Sequence, residues 1–206
     1  ALRAAPVWDG HNDVPEQLRE RRKNMIADFD FRDTRATADP AHKWVAMHTD
    51  LTRLRQGKVG AQFWSVYVSA QLDDQHAMQA VLEQIDVTKR LIARYPQDLQ
   101  YVTTAAEAEQ AMKRGRIASL IGMEGGYAIA GSLGVLRQMY ALGARYMTLT
   151  HFRNIPWADS ATDRPEHDGL TDFGKDVVRE MQRIGMIVDL SHVSEATMLD
   201  TLDVAG

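Results

Sequence analysis

The stretch "ASLIGMEGG", residues 118–126, decides the fold class of this chain. Its first part, Ala118–Met123, is almost continuously apolar, a pattern typical of a strand buried on both faces of a parallel sheet. Glu124 follows directly, and the next two residues are glycines, which permit a tight turn into a helix. The stretch therefore predicts a strand-turn-helix unit with a carboxylate at the carboxyl end of its strand.

Four other runs have the same strand-like character. They are Pro6–Asp9, Ala61–Val68 ("AQFWSVYV"), Arg145–Thr150 and Met186–Leu190. Helical patterns lie between the strands, and their end signals can be recognised. Three helices are indicated by an apolar stripe: Val81 to Ile92, ended by Tyr95-Pro96; Leu133 to Tyr140, ended by Gly143; and Phe173 to Ile184, ended by Gly185. Another begins at a capping box of Thr104 and Glu107 and ends at Gly115. The last is capped by Ser194 and runs through Asp203.

The alternation of strands and helices predicts an α/β fold with a parallel sheet. The order of elements favours a (β/α)8 TIM barrel of the metal-dependent-hydrolase type, of which only the first five βα units are present. Five strands leave two open edges, so we expect residues 1–206 to be the N-terminal part of a single barrel domain whose C-terminal strands are missing. A complete open doubly wound sheet is the alternative.

Composition excludes several classes of protein. The chain of 206 residues is 45% hydrophobic and 25% charged with a net charge of -4, which favours neither nucleic-acid binding nor a charged membrane surface. No apolar run approaches the roughly 20 residues of a membrane span. The chain has no cysteine, so a metal would have to bind His, Asp, Glu or water. A periplasmic and a cytoplasmic location in a bacterium both fit this composition.

His11 and Asp13 follow the first predicted strand. Residues i and i+2 of an extended segment point to the same side, so the imidazole and the carboxylate can project together. This pair suits a divalent metal such as Zn²⁺. The other interpretation is a solvated turn in which Asp13 caps the next helix.

Three more candidate ligands also stand at strand ends. Glu124 ends its strand, His151 directly follows the fourth strand, and His192 follows the fifth. A buried carboxylate needs a partner, which a metal or an arginine can supply. A single histidine at a strand end is usually structural, but these sites would converge on one pocket if the barrel closes.

Other residues have simpler interpretations. We expect the remaining histidines, His42, His48, His76 and His167, to be surface or packing residues. Trp64 and Tyr67 are expected in the core, and Trp157 and Asp159 either line the pocket or order the loop after the fourth strand. Asp189 either faces the barrel interior or anchors a neighbouring loop. The basic run Arg19–Lys23 is expected to be a solvated face or an early-loop patch.

The motifs in combination resemble the membrane (renal) dipeptidase family of binuclear zinc peptidases. They are "DGHNDVP", "HTDLTRLRQGKVGAQFWSVYV", "IGMEGG", "YMTLTHFRNIPWADS" and "GLTDFGKDVVREMQRIGMIVDLSHVS", and they cover nearly the whole sequence. The resemblance implies a (β/α)8 barrel that binds two Zn²⁺ ions per complete catalytic domain and hydrolyses dipeptides, including some with a C-terminal D-residue, by a metal-activated water. It also implies a dipeptide substrate and a homodimer.

The resemblance assigns a role to each candidate residue. His11 and Asp13 would bind the first zinc, Glu124 would bridge the two ions as a catalytic residue, and His192 would bind the second. His151 would be both catalytic and substrate-binding, because it contacts the substrate and polarises the reacting centre. The family pattern also needs a further His ligand, an Arg and an Asp that would lie beyond Gly206.

Two rival interpretations remain. A related metal-dependent amidohydrolase would keep the barrel and metals but act on another amide, a lactone or a phosphoester, since barrels host many chemistries. An inactive metal-binding fragment is the other.

Overall fold

The computed structural model describes residues 5–206 and shows an α/β fold. Within that range the chain forms six β-strands and seven α-helices. The strands are β1 Val7–Asp9, β2 Val59–Tyr67, β3 Leu99–Tyr101, β4 Ile117–Glu124, β5 Ala144–Thr148 and β6 Ile187–Asp189. The helices are α1 Val14–Arg22, α2 Leu51–Gln56, α3 Asp74–Arg94, α4 Ala105–Lys113, α5 Leu133–Ala141, α6 Asp172–Ile184 and α7 Glu195–Ala205. Two short 3-10 helices cover Pro40–His42 and Gly126–Ile129.

Strand pairing confirms the predicted parallel class. β1 pairs in parallel with β2, β3 with the first half of β4, the second half of β4 with β5, and β5 with β6. All eight residues of β4 are buried, as the continuous apolar run predicted. All five predicted strands are present, with ends shifted by at most two residues.

The predicted count of five strands was wrong, because the described residues form six, and the strand that was not predicted is β3. Leu99–Tyr101 is only three residues long, and one of them is the polar Gln100. Such a segment shows neither an apolar run nor an alternation long enough to recognise. Its backbone pairs with Ile117–Ser119 of β4.

The helix end signals were largely correct. Thr104 and Glu107 form both bonds of the predicted capping box at α4. Gly185 ends α6 in the left-handed conformation, and the Ser194 hydroxyl accepts from the backbone of Thr197 at the start of α7. Helix α2 was not predicted, and α1 was expected only in the alternative in which Asp13 caps it. Helix α1 includes most of the basic run, which thus lies on a helix rather than in a loop. Among the described residues, no helix is long and apolar enough to cross a membrane.

The chain divides into two compact units. The first contains the described residues up to Trp64 together with Asp86–Leu120. Its core is an aromatic and aliphatic cluster in which Phe31 packs edge-on against Trp64, with ring centroids 5.9 Å apart, and Tyr95 lies 6.3 Å from Phe31. The Tyr95 hydroxyl accepts a bond from the backbone N–H of Phe31, which fixes the loop before α2 to this core.

The second unit contains Ser65–Ile85 and Ile121–Gly206. Helix α6 packs against α5 and α7, and its buried face carries Val177, Val178 and Met181. The boundaries between the units fall inside β2 and β4, so both strands contribute residues to each unit. Strands β5 and β6 belong wholly to the second unit, as does the carboxyl end of β4 that carries Glu124.

Candidate metal centre

Glu124 lies at the carboxyl end of β4, and its side chain is almost fully buried at 7% exposure. One carboxylate oxygen, Oε2, accepts a hydrogen bond of 3.2 Å from the hydroxyl of the buried Ser65 on β2. The other, Oε1, lies 3.4 Å from Nε2 of His151 and 3.2 Å from Nε2 of His192. The two oxygens therefore have different partners, and one of them faces both imidazoles.

The two imidazoles lie side by side within a group of aromatic rings. Their ring centroids are 4.3 Å apart. Phe152 packs 4.0 Å from the His151 ring, and Tyr67 packs 4.6 Å from it. His151 is buried at 6% exposure, whereas the His192 side chain keeps 31%. These rings fix the plane of the His151 imidazole, while His192 is the member of the pair that solvent reaches.

His192 has a left-handed backbone conformation, with φ of +67°, which is uncommon for a residue with a side chain. Its carbonyl oxygen accepts bonds from the Thr150 hydroxyl at 3.1 Å and from the N–H of Ala161 at 2.8 Å. Residues forced into this region persist only where the surroundings hold them, and they concentrate at functional sites. The backbone of His192 is therefore held by two residues of the loop that follows β5.

This group of side chains has the chemistry of a metal site. Ligand atoms of Glu124, His151 and His192 all lie within 4.8 Å of one another. One carboxylate and two imidazoles form a donor set that Zn²⁺ accepts, and a divalent ion would supply the positive partner that a buried carboxylate needs. The residues present thus fit a metal.

His11 and Asp13 form a pair within the first unit. Nε2 of His11 lies 3.0 Å from Oδ1 of Asp13, and their side chains are 41% and 46% exposed. Asp13 occupies the N-cap position of α1, but its side chain makes no capping bond. The capping alternative is therefore wrong, and the carboxylate is directed to the imidazole instead.

A cleft of about 360 Å³ lies beside this pair. It is lined by His11–Val14, by Gln17 and Arg21 of α1, and by the loop Val45–Thr49. That loop is tied to the pair's turn, because the side chain of Asn12 donates a 3.0 Å bond to the hydroxyl of Thr49. His48, which we expected to be a surface or packing residue, is exposed in the wall of this cleft.

The loop is held in turn by Asp50, a buried carboxylate at the N-cap of α2. Burial raises the pKa of this group, but bonds from the Arg53 side chain and from the backbone N–H groups of Arg53 and Thr34 outweigh it, so the pKa lies below its ordinary value. Asp50 is therefore ionised at neutral pH.

Within each of the two units, the structure brings predicted site residues together. Glu124, His151 and His192 lie together in the second unit, and His11 and Asp13 lie together in the first. That all five share one pocket stays a prediction.

Several residues have the simpler roles. The Asp159 carboxylate is buried and accepts bonds from the backbone N–H groups of Glu166, His167 and Gly169, so it orders the loop after β5. Trp157 is buried and packs edge-on against Phe173. The Asp189 carboxylate accepts from the Thr148 hydroxyl and from Ser191, which anchors the turn before His192. The three remaining histidines bond locally: His42 to Asp39, His76 to Asp73, and His167 to the carbonyl of Ile155.

Sequence reasoning missed two residues of the buried group. Ser65 bonds Glu124, and Tyr67, expected in the core, is half-buried against the ring of His151. The two are i and i+2 on β2, so they point to the same face of the strand. That alternation at the strand's carboxyl end was the available signal.

Comparison with known proteins decides the family. The model of the membrane dipeptidase family, peptidase family M19, matches residues 1–206. The chain belongs to this family. It is 44% identical to Dipeptidase 3 of Macaca fascicularis over 209 residues and 44% identical to Dipeptidase 3 of Rattus norvegicus over 207, covering 99% and 98% of this chain. It spans 40% of the length of each of these relatives.

Solved structures of dipeptidases share the fold. The probable dipeptidase PvdM from Pseudomonas aeruginosa superposes with a TM-score of 0.80 at 17% sequence identity. The match covers 97% of the present chain and 50% of the PvdM chain. A metallopeptidase from Rhodobacter sphaeroides, liganded with a phosphinate mimic of the dipeptide L-Ala-D-Ala, gives 0.78 at 22% identity, covering 97% and 62%. This likeness confirms the predicted fold class, a partial TIM barrel with parallel strands, over the open doubly wound sheet.

Proposed function

We propose that this chain is part of a zinc-dependent dipeptidase, within a single TIM-barrel domain, and that it supplies most of the metal ligands. The observation that carries the proposal is the convergence of the buried Glu124 carboxylate and the His192 imidazole, with the His151 imidazole beside them, in a chain of the M19 family. The names of the relatives and the ligand of the Rhodobacter sphaeroides enzyme support a dipeptide as substrate.

The proposed roles follow from the residue types. Glu124 and His192 would hold one Zn²⁺ ion, His11 and Asp13 would hold a second, and Glu124 would be a ligand of both. Zinc supplies Lewis-acid polarisation of a carbonyl and lowers the pKa of water toward neutrality. His151 donates a hydrogen bond from its imidazole to the oxygen of the scissile carbonyl, where negative charge develops. Its position between Tyr67 and Phe152 holds the ring for that task.

Burial favours these roles over a purely structural ion pair. Glu124 and His151 are nearly inaccessible to solvent, and electrostatic interactions are stronger where water is excluded. Ser65 fixes the carboxylate from the side opposite the imidazoles. A preorganised set of this kind needs little rearrangement during the reaction, which is the usual source of catalytic advantage.

The test has a binding arm and an activity arm. Zinc titration of the 206-residue chain against a chromophoric chelator should show a site that is lost in Glu124→Gln. The polypeptide that contains this chain should hydrolyse L-Ala-D-Ala, lose activity in chelator and recover it with zinc. Hydrolysis that persists in chelator, or activity confined to lactones or phosphoesters, would contradict the proposal.

A further inference from the structure

Ser160 is a buried polar residue, 2% exposed, in the loop after β5, and the proposed function gives it no task. Its hydroxyl lies between two backbone carbonyls. It donates to the carbonyl of His151, and it lies 3.3 Å from the carbonyl oxygen of His192. These two residues are 41 positions apart in the chain, yet a single hydroxyl contacts both backbones.

The contacts around Ser160 form a clamp on His192. The N–H of the next residue, Ala161, donates to the carbonyl of His192, and so does the hydroxyl of Thr150 on the other side. The backbone N–H of Ser160 is itself fixed by a 2.8 Å bond to the side-chain oxygen of Asn154. The protein itself therefore fixes the position of the Ser160 hydroxyl.

The clamp has a geometric purpose. His192 has a left-handed backbone, which is unfavourable for a residue with a side chain and persists only where its surroundings hold it. If the backbone turned back to an ordinary conformation, the imidazole would leave Oε1 of Glu124. The carbonyl bonds oppose that change.

We propose that Ser160 is a positioning residue of the metal centre, acting with Thr150 on the carbonyl of His192 to hold both imidazoles at Glu124. This rests on the proposed function only in requiring that the centre binds a metal. Groups that orient ligands from outside the coordination sphere typically change metal affinity by about 10–100-fold when removed. Since Ser160 acts through the backbone, we expect a value near the lower limit.

The experiment compares zinc affinity among variants of the full chain. Ser160→Ala should weaken binding about tenfold, while Ser160→Thr, which keeps the hydroxyl, should bind within about twofold of the unsubstituted chain. Ser119→Ala is the matched control, because Ser119, on β4, is likewise a buried serine whose hydroxyl donates to a backbone carbonyl, that of Ile117. Both alanine variants should lower the unfolding temperature in chelator by a similar amount. A difference in zinc affinity between them would then reflect metal binding rather than general destabilisation.

The outcomes are distinct. If the unsubstituted chain binds no zinc, the proposed function fails. If it binds and Ser160→Ala binds equally well, the clamp is not a positioning device and this inference is overturned. If Ser160→Ala does not fold in chelator, Thr150→Val decides the matter, because it removes the other hydroxyl from the same carbonyl with little change in volume. A loss of affinity then supports the clamp, and an unchanged affinity refutes it.

Discussion

The two sets of candidate ligands differ in how they are held. His11 and Asp13 are two residues apart on one exposed turn, and their side chains lie 3.0 Å from each other. Glu124, His151 and His192 come from three strand ends, are mostly buried, and are surrounded by Ser65, Tyr67, Phe152 and the clamp on His192. A local pair can form with little support from the rest of the fold. A buried group needs many contacts to offset the cost of removing a charge from water.

The difference sets how each group should respond to substitution. Around the exposed pair, solvent can replace a lost contact, so changes should be mild. Around the buried group, each side chain has neighbours that cannot rearrange freely in a close-packed interior. We therefore expect larger effects from changes around the buried group than from changes around the exposed pair.

The largest effect should come from the carboxylates themselves. Glu124→Gln should weaken zinc binding by more than about 100-fold, because it removes the charge that faces both imidazoles. Asp13→Asn should weaken it by about tenfold, since water can enter at an exposed position. Competitive zinc titration measures both. Equal losses would remove the distinction between the two groups.

A second contrast uses the glycines beside each group. A Cβ on Gly126 would lie 2.5 Å from the carbonyl oxygen of Leu149, so Gly126→Ala should cost about 2 kcal/mol of unfolding free energy through overpacking. A Cβ on Gly10 meets nothing within 4 Å, and Gly10→Ala should stay within about 0.5 kcal/mol. Urea denaturation compares them. A tolerated alanine at 126 would show that the turn after Glu124 is looser than its contacts indicate.

The third prediction concerns Asp50, which holds the loop beside the exposed pair of His11 and Asp13. Because the folded-state pKa of Asp50 lies below its ordinary value, this carboxylate stabilises the fold above about pH 3.8 and loses that contribution as the pH falls through the lowered value. Asp50→Asn should therefore destabilise the chain at pH 6 by about 1–3 kcal/mol and reduce the loss of stability on acidification. Urea midpoints at several pH values provide the measurement, with Asp28→Asn, an exposed carboxylate, as control. An unchanged acid profile would contradict this role.

The smallest effect is expected at Glu180 on α6. Its bonds to Arg183 and Arg137 lower its pKa from 4.5 to about 2. The stability it contributes should be complete above pH 4.5 and disappear as the pH falls toward 2. Glu180→Gln should remove that pH dependence with a smaller change in the urea midpoint than Asp50→Asn, since both arginine partners are exposed and such ion pairs contribute little. A shift larger than that of Asp50→Asn would reverse this ranking.

The sequence predicted what depends on local chemistry. The buried strand ending in Glu124, the Thr104–Glu107 capping box and the glycine at the end of α6 were all recognisable, because each depends on neighbours within a few residues. The strand β3 was not, since its three residues carry too little pattern. For the site, the residue types at strand ends and the family motifs identified the candidates.

The supporting contacts could not be predicted in the same way. Ser65 meets Glu124 across 59 residues, and Ser160 meets His192 across 32. A serine has no preferred partner at such distances, and its neighbours are decided only when the strands pair. The left-handed backbone of His192 likewise has no sequence signal, because no glycine or asparagine marks it.

The buried Asp159 carboxylate has one more consequence. By gathering the backbone N–H groups of Glu166, His167 and Gly169, it closes the base of the loop after β5 and leaves the tip between Ala161 and Glu166 exposed. The exposed side chains of that tip can vary while Asp159 holds the base of the loop and the backbone of Ala161 stays bonded to His192. Such a loop can diversify quickly among descendants of a common ancestor, altering what reaches the centre while the centre itself is inherited unchanged.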